Sequence, residues 1–231
     1  MNTIESSIPP QIPLIPNLLV AIEAILRQPR RVMLQLRQTG AGRLAWMLLF
    51  GMLGCSLAYG TVVGSFSMGT QLWAAPVKIA GGLLVTAIIC LPSLYIFACI
   101  SGSRAGLQEL CGLVAGLLLL MTLLLVGFAP IAWLFSQSTE SVAWMGGLHL
   151  GFWFIATCFG VRFLSQGFSH SQARSSAGLV TWIILFMLVA VQMTTALRPL
   201  VGKSDSFLPT SKKFFLTHWG DCLAPVTPAP R

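Results

Sequence analysis

Hydrophobic positions in this chain come in long unbroken runs, and the polar ones collect between them. Arg43 and Lys78 bracket residues 44–77, which hold no Asp, Glu, Lys or Arg. Charge-free runs follow at 79–103, 110–139, 141–161 and 175–197. Each is longer than the roughly 20 helical residues that cross a hydrocarbon core of about 30 Å. The runs are continuously apolar rather than alternating, and backbone groups in lipid must be satisfied within the segment, so helices are implied. The pattern predicts an all-α polytopic membrane protein with about five transmembrane helices. They fall near Leu44–Val63, Trp73–Ile100, Leu110–Phe135, Ala143–Val161 and Leu179–Leu197.

A different pattern precedes them. Leu18, Leu19, Ile22, Ile25 and Leu26 recur at helical spacing, with Glu23 off that face and Asn17 placed to cap the start. Pro29 interrupts, and Arg30 and Arg31 follow before Val32, Met33, Leu34, Leu36 and Arg37. The segment is too charged to span. It predicts an interfacial amphipathic helix over residues 17–39, its apolar face in the acyl chains and Arg30, Arg31 and Arg37 at the phosphates. Docking on the membrane domain is the competing arrangement. The chain then divides into a disordered proline-rich lead-in (1–16), the interfacial helix (17–39), the five-helix domain (42–198) and an interfacial or disordered tail (199–231). Residues 1–16 carry Glu5 and no Lys or Arg. They lack a basic n-region, so the first span is expected to act as an uncleaved anchor.

Composition removes the soluble alternative. Charged residues are 9% of the chain, against about 25% in soluble domains, and mean hydropathy is +0.82. The net charge of +8 sits at span ends. Topology and anionic lipid headgroups account for it, and nucleic acid is not expected as a partner. Lys and Arg alternate loop by loop: Arg27, Arg30, Arg31, Arg37 and Arg43 first, none in 64–72, then Arg104, none around 137–140, then Arg174. This predicts a cytoplasmic N-terminus and, after five spans, an exterior C-terminus. Arg198, Lys203, Lys212 and Lys213 in the tail run against that direction for the last span. Trp46, Trp73, Trp133, Trp144 and Trp182 fall near span ends, where indole rings settle at headgroup level.

Candidate chemistry is sparse. The six cysteines form no C-x-x-C pair, so no metal site is expected. No nucleophile elbow, H-E-x-x-H or P-loop occurs, and no catalytic residue is assigned. Gly60/Gly64, Gly112/Gly116 and Gly147/Gly151 are spaced for close helix packing. Pro92 should kink the second span. Lys78 and Glu109 lie within about two turns of opposite span ends and should snorkel to different interfaces. His149, in Gly-Gly-Leu-His-Leu-Gly, is the one histidine inside a span. It reads as a neutral histidine bonded to a neighbouring helix. The cofactor reading is an axial ligand to a haem or chlorophyll. The function expected is a non-enzymatic scaffold or accessory subunit that assembles with other membrane chains and binds no cofactor. The alternatives are a transporter or channel component, and a pigment- or haem-binding subunit.

Ile25-Leu26-Arg27-Gln28-Pro29-Arg30, the following Leu36-Arg37, and a tightly spaced five-span block containing Leu91-Pro92-Ser93-Leu94-Tyr95 resemble bacterial members of the Yip family, relatives of eukaryotic Rab-interacting membrane proteins. The likeness covers about residues 20–197. It implies five spans, a cytoplasmic N-terminus in a bacterial inner membrane, an exterior C-terminus and no catalytic residues. The long tail after Arg198-Pro199 departs from the compact family pattern.

Overall fold

The computed structural model describes residues 13–197 apart from 39, 68, 140–141 and 171–176. The lead-in to residue 12 and the tail, with Cys222, lie outside the described residues. Among the described residues there are seven helices: α1 (Leu18–Arg27), α2 (Pro29–Leu36), α3 (Ala41–Ser65), α4 (Gln71–Ile100), α5 (Leu107–Ser138), α6 (Val142–His170) and α7 (Ala177–Ala196). The last five are long and apolar enough to cross a membrane, so the chain is an all-helical membrane protein with five candidate spans. They match the charge gaps, and all but α7 overrun one end. α6 continues past Arg162 to His170, because a charge ends an apolar run without ending a helix.

Local chemistry sets the helix ends. Asn17 Oδ1 accepts from the Val20 N–H at 3.0 Å and caps α1. Pro29 disfavours helical backbone at Gln28, and α1 gives way to α2 there. The predicted single interfacial helix is therefore two. α4 stops in a Schellman motif: Gly102 has φ of 71°, its N–H bonds to the Cys99 carbonyl, and the Ser103 N–H bonds to the Ala98 carbonyl. Pro76 and Pro92 both lie inside α4, and Pro130 inside α5.

The spans pack in the order α7, α4, α3, α5, α6. α3 and α4 run antiparallel, with Gly60 on Pro76 and Gly64 on Gln71 and Leu72. α3 and α5 run parallel, with Gly51 against Leu119 near their starts and Ala58 and Val62 sharing a groove with Val126 and Ala129 further on. α6 returns along α5, Gly167 against Leu113 and Gly160 against Met121. α7 returns along α4, where the Trp182 indole N–H donates to the Cys90 carbonyl at 2.8 Å. Of the apolar window of α5, 67% is buried, against 17% for α7, so α5 is the centre of the bundle.

Two sequence expectations are corrected by this packing. Trp182 is fully buried against α4, whereas Trp46, Trp73, Trp133 and Trp144 are exposed. The inner face of α1 and α2 (Ala21, Ala24, Ile25, Val32, Met33, Leu36) is buried on the bundle rather than turned to acyl chains. Leu18 reaches Gly51, Ile25 reaches Gly116 and Leu36 reaches Gly112. Only the outer residues, such as Leu19 and Leu26, remain exposed.

Candidate functional site

The polar chemistry of the bundle gathers toward the end where α3 finishes and α4 and α6 begin. Tyr59 belongs to the buried stripe of α3 with Leu48, Met52 and Val63. His149 belongs to the buried stripe of α6 with Met145, Phe152 and Ala156. Both spacings of three and four are helical, so each polar side chain occupies a position where its neighbours are core. Tyr59 is six residues from the end of α3 and His149 seven from the start of α6. At about 1.5 Å per residue both lie some 9–10 Å inside their helix ends.

There they meet. Tyr59 Oη and His149 Nδ1 are 2.6 Å apart, with the rings edge to face at 83° and their centroids 5.6 Å apart. Phe152 stands edge-on to the imidazole and stacks on Phe128 at 4.7 Å. Tyr59 is fully buried and His149 is 6% exposed. His149 Nε2 is buried with no hydrogen-bond partner among the described residues. The count of unmet groups fixes the tautomer. A phenol donating to Nδ1 leaves one group unmet, the Nε2 proton. An Nδ1–H donating to the phenol oxygen leaves two, Nε2 and the phenol proton. The first arrangement strands fewer buried groups and is the stable one.

The pair links α3 and α6, which among the described residues otherwise meet through α5 and α2. An axial ligand needs its ring nitrogen open to the face of a macrocycle. His149 Nε2 is enclosed in this structure. Among the described residues no three of His, Cys, Asp and Glu gather as a metal site.

Lys78 does not snorkel. It is 2% exposed, two turns along α4 from Gln71, whose Oε1 is buried without a partner among the described residues. Glu109 pairs with Arg37 at 3.4 Å, tying the start of α5 to the residue after α2. Arg31 donates from Nε to the Pro13 carbonyl at 3.0 Å and from Nη2 to the Leu14 carbonyl at 3.2 Å. Of the three arginines assigned to lipid, Arg30 is exposed and has no such bond among the described residues. Pro92 lies two residues from Cys90, whose carbonyl accepts from Trp182 and also from Ser93 Oγ at 2.8 Å.

The glycine pairs part company. Gly60 and Gly64 hold α4 on α3, and Gly112 and Gly116 admit Leu36, Ile25 and Phe163. Around Gly147 and Gly151 a side chain would meet nothing within 4 Å among the described residues. Sequence reasoning passed over Tyr59, although a tyrosine inside an apolar run carries a hydroxyl that needs a partner. No family model, curated protein or solved structure matches this chain.

Proposed function

We propose that this chain is a non-enzymatic integral membrane scaffold or accessory subunit that works by packing helix against helix with other membrane chains. The observation that carries the reading is the uncovered face of α6. Two of the three glycine pairs are consumed by contacts within the chain. Gly147 and Gly151 are exposed, with nothing over them among the described residues, flanked by exposed Leu150 and Phe154. In lipid, helix association rests on close backbone approach and van der Waals packing rather than on a hydrophobic drive. A glycine pair left open on a lipid-facing surface is what a second helix can use, and lipid tails gain nothing from it. His149 turns to the opposite side of α6 and anchors that helix from within.

Gly147→Leu tests this. Complex size in mild detergent should fall while the melting temperature of the chain itself holds. A monomeric particle from the start, with no co-purifying chain and solute flux in vesicles, would sink the scaffold reading in favour of a transporter. The reading does not depend on the Yip resemblance.

The proposed orientation keeps the N-terminus, with α1 and α2, in the cytoplasm and at anionic headgroups. Its support is the loop-by-loop Lys/Arg alternation. Reporter fusions after Arg37, Thr70, Arg104, Thr139, Arg174 and Gly202 should read in, out, in, out, in, out. A cytoplasmic signal after Gly202 contradicts an odd number of spans.

A further inference from the structure

We infer that the junction of α1 and α2 is a binding site for the headgroup of an aminophospholipid, one that carries both a phosphate and a primary ammonium. The inference rests on the reading that these helices lie at the membrane interface, and it replaces general attraction to anionic lipid with a specific seat.

The site is a recess of about 110 Å³ lined by Val20, Glu23, Ala24, Arg27, Gln28 and Arg31. At about 30 Å³ per water molecule it has room for a small polar group. Both signs of charge face it. Arg31 is held in place by its bonds to the Pro13 and Leu14 carbonyls. Those bonds use Nε and Nη2 and leave Nη1 uncommitted among the described residues, on a guanidinium already fixed in orientation. A fixed fork of N–H donors suits a phosphate. Arg27 and Glu23 sit one turn apart at 3.4 Å, with side chains 78% and 62% exposed. That pair is wet and loosely held, so it contributes little by itself and can open at small cost. Opened, it offers a second guanidinium to the phosphate and a carboxylate to the ammonium. An anionic headgroup without an amine would meet Glu23 with nothing to offset it. A quaternary amine would bring no N–H to it.

The surroundings select a lipid over a soluble phosphoester. Leu19 stands four residues before Glu23 and Leu26 three after it, so all three share the outer face of α1. Leu19 is 76% and Leu26 51% exposed. The inner face of the same helix touches α3 and α5 at Gly51 and Gly116, both inside candidate spans. A headgroup in the recess therefore has its acyl chains beside exposed leucines and next to the spans.

The test uses the full chain in mixed micelles with equal phosphatidylethanolamine, phosphatidylcholine and phosphatidylglycerol, read by native mass spectrometry. Phosphatidylethanolamine should be retained about tenfold over the other two, the scale of one hydrogen bond to a charged group. Glu23→Gln should abolish that preference, and Arg27→Gln should lower retention of all three. Equal retention of the three lipids, or a preference that survives Glu23→Gln, overturns the site. Displacement of bound lipid by free phosphoethanolamine at matched concentration overturns the lipid assignment. A tryptophan placed by Leu26→Trp separates the two layers of the argument. If brominated lipid fails to quench it, the interfacial reading has failed. If it is quenched and no headgroup is preferred, the headgroup site alone has failed.

Discussion

Replacing Gly60 by leucine is expected to cost this chain its fold, where the same change at Gly147 costs it only a partner. A Cβ at Gly60 would fall on the backbone of Pro76. Neither wall can yield cheaply: one is main chain, and the ring beside it is rigid. Overpacking a well-filled core costs about 1–3 kcal/mol, and more where backbone must move. Gly60→Leu should lie at or beyond the top of that range, because α4 must leave α3 to make room, and α7 is carried on α4. Loss of a monodisperse peak in detergent and a collapsed melting transition are the expected readings. Gly112→Leu should be milder, within that range of about 1–3 kcal/mol, since the atoms it meets belong to the Leu36 side chain and not to backbone. Gly147→Leu should melt like the unaltered chain. A Gly60→Leu protein with an unchanged melting curve would falsify the α3–α4 contact, and with it the layered order of the spans.

The spans were legible because the signal for them is local. A stretch without charge, long enough and apolar throughout, states its solvent whatever it packs against. Helix caps were legible for the same reason: Asn17 needs only its own next turn. What was not legible is the rotation of each helix about its axis, which depends on partners far away in sequence. Gly60, Gly112 and Gly147 open the same G-x-x-x-G motif, yet among the described residues one meets backbone, one a side chain and one nothing. Trp182 sits close enough to a span end to read as a belt residue, but α7 turns it onto Cys90. The amphipathic stretch before the spans was visible as amphipathic. Which surface its apolar side would cover was not, because lipid and a helix bundle present the same hydrocarbon to it. For His149 the sequence supplied the residue and the structural reading. It could not supply Tyr59, 90 residues away.

That pair makes the sharpest quantitative expectation. Tyr59→Phe removes a hydroxyl, changes almost no volume, and leaves both ring nitrogens of His149 buried and unmet. Stranding a buried polar group costs about 1–3 kcal/mol. Hydrogen bonds between membrane helices average nearer 0.6 kcal/mol, because the unfolded chain in lipid also finds partners. The enclosure of Nε2 places this case toward the upper figure, since relief by another group is not at hand. His149→Leu removes the stranded group along with the bond. Adding it to Tyr59→Phe should therefore restore stability rather than lower it further, as replacing both partners by apolar groups is close to neutral. The double variant should melt above Tyr59→Phe alone. Simple additivity of the two changes would mean that the rings are neighbours without being coupled, and the latch between α3 and α6 would then have to be sought in α5.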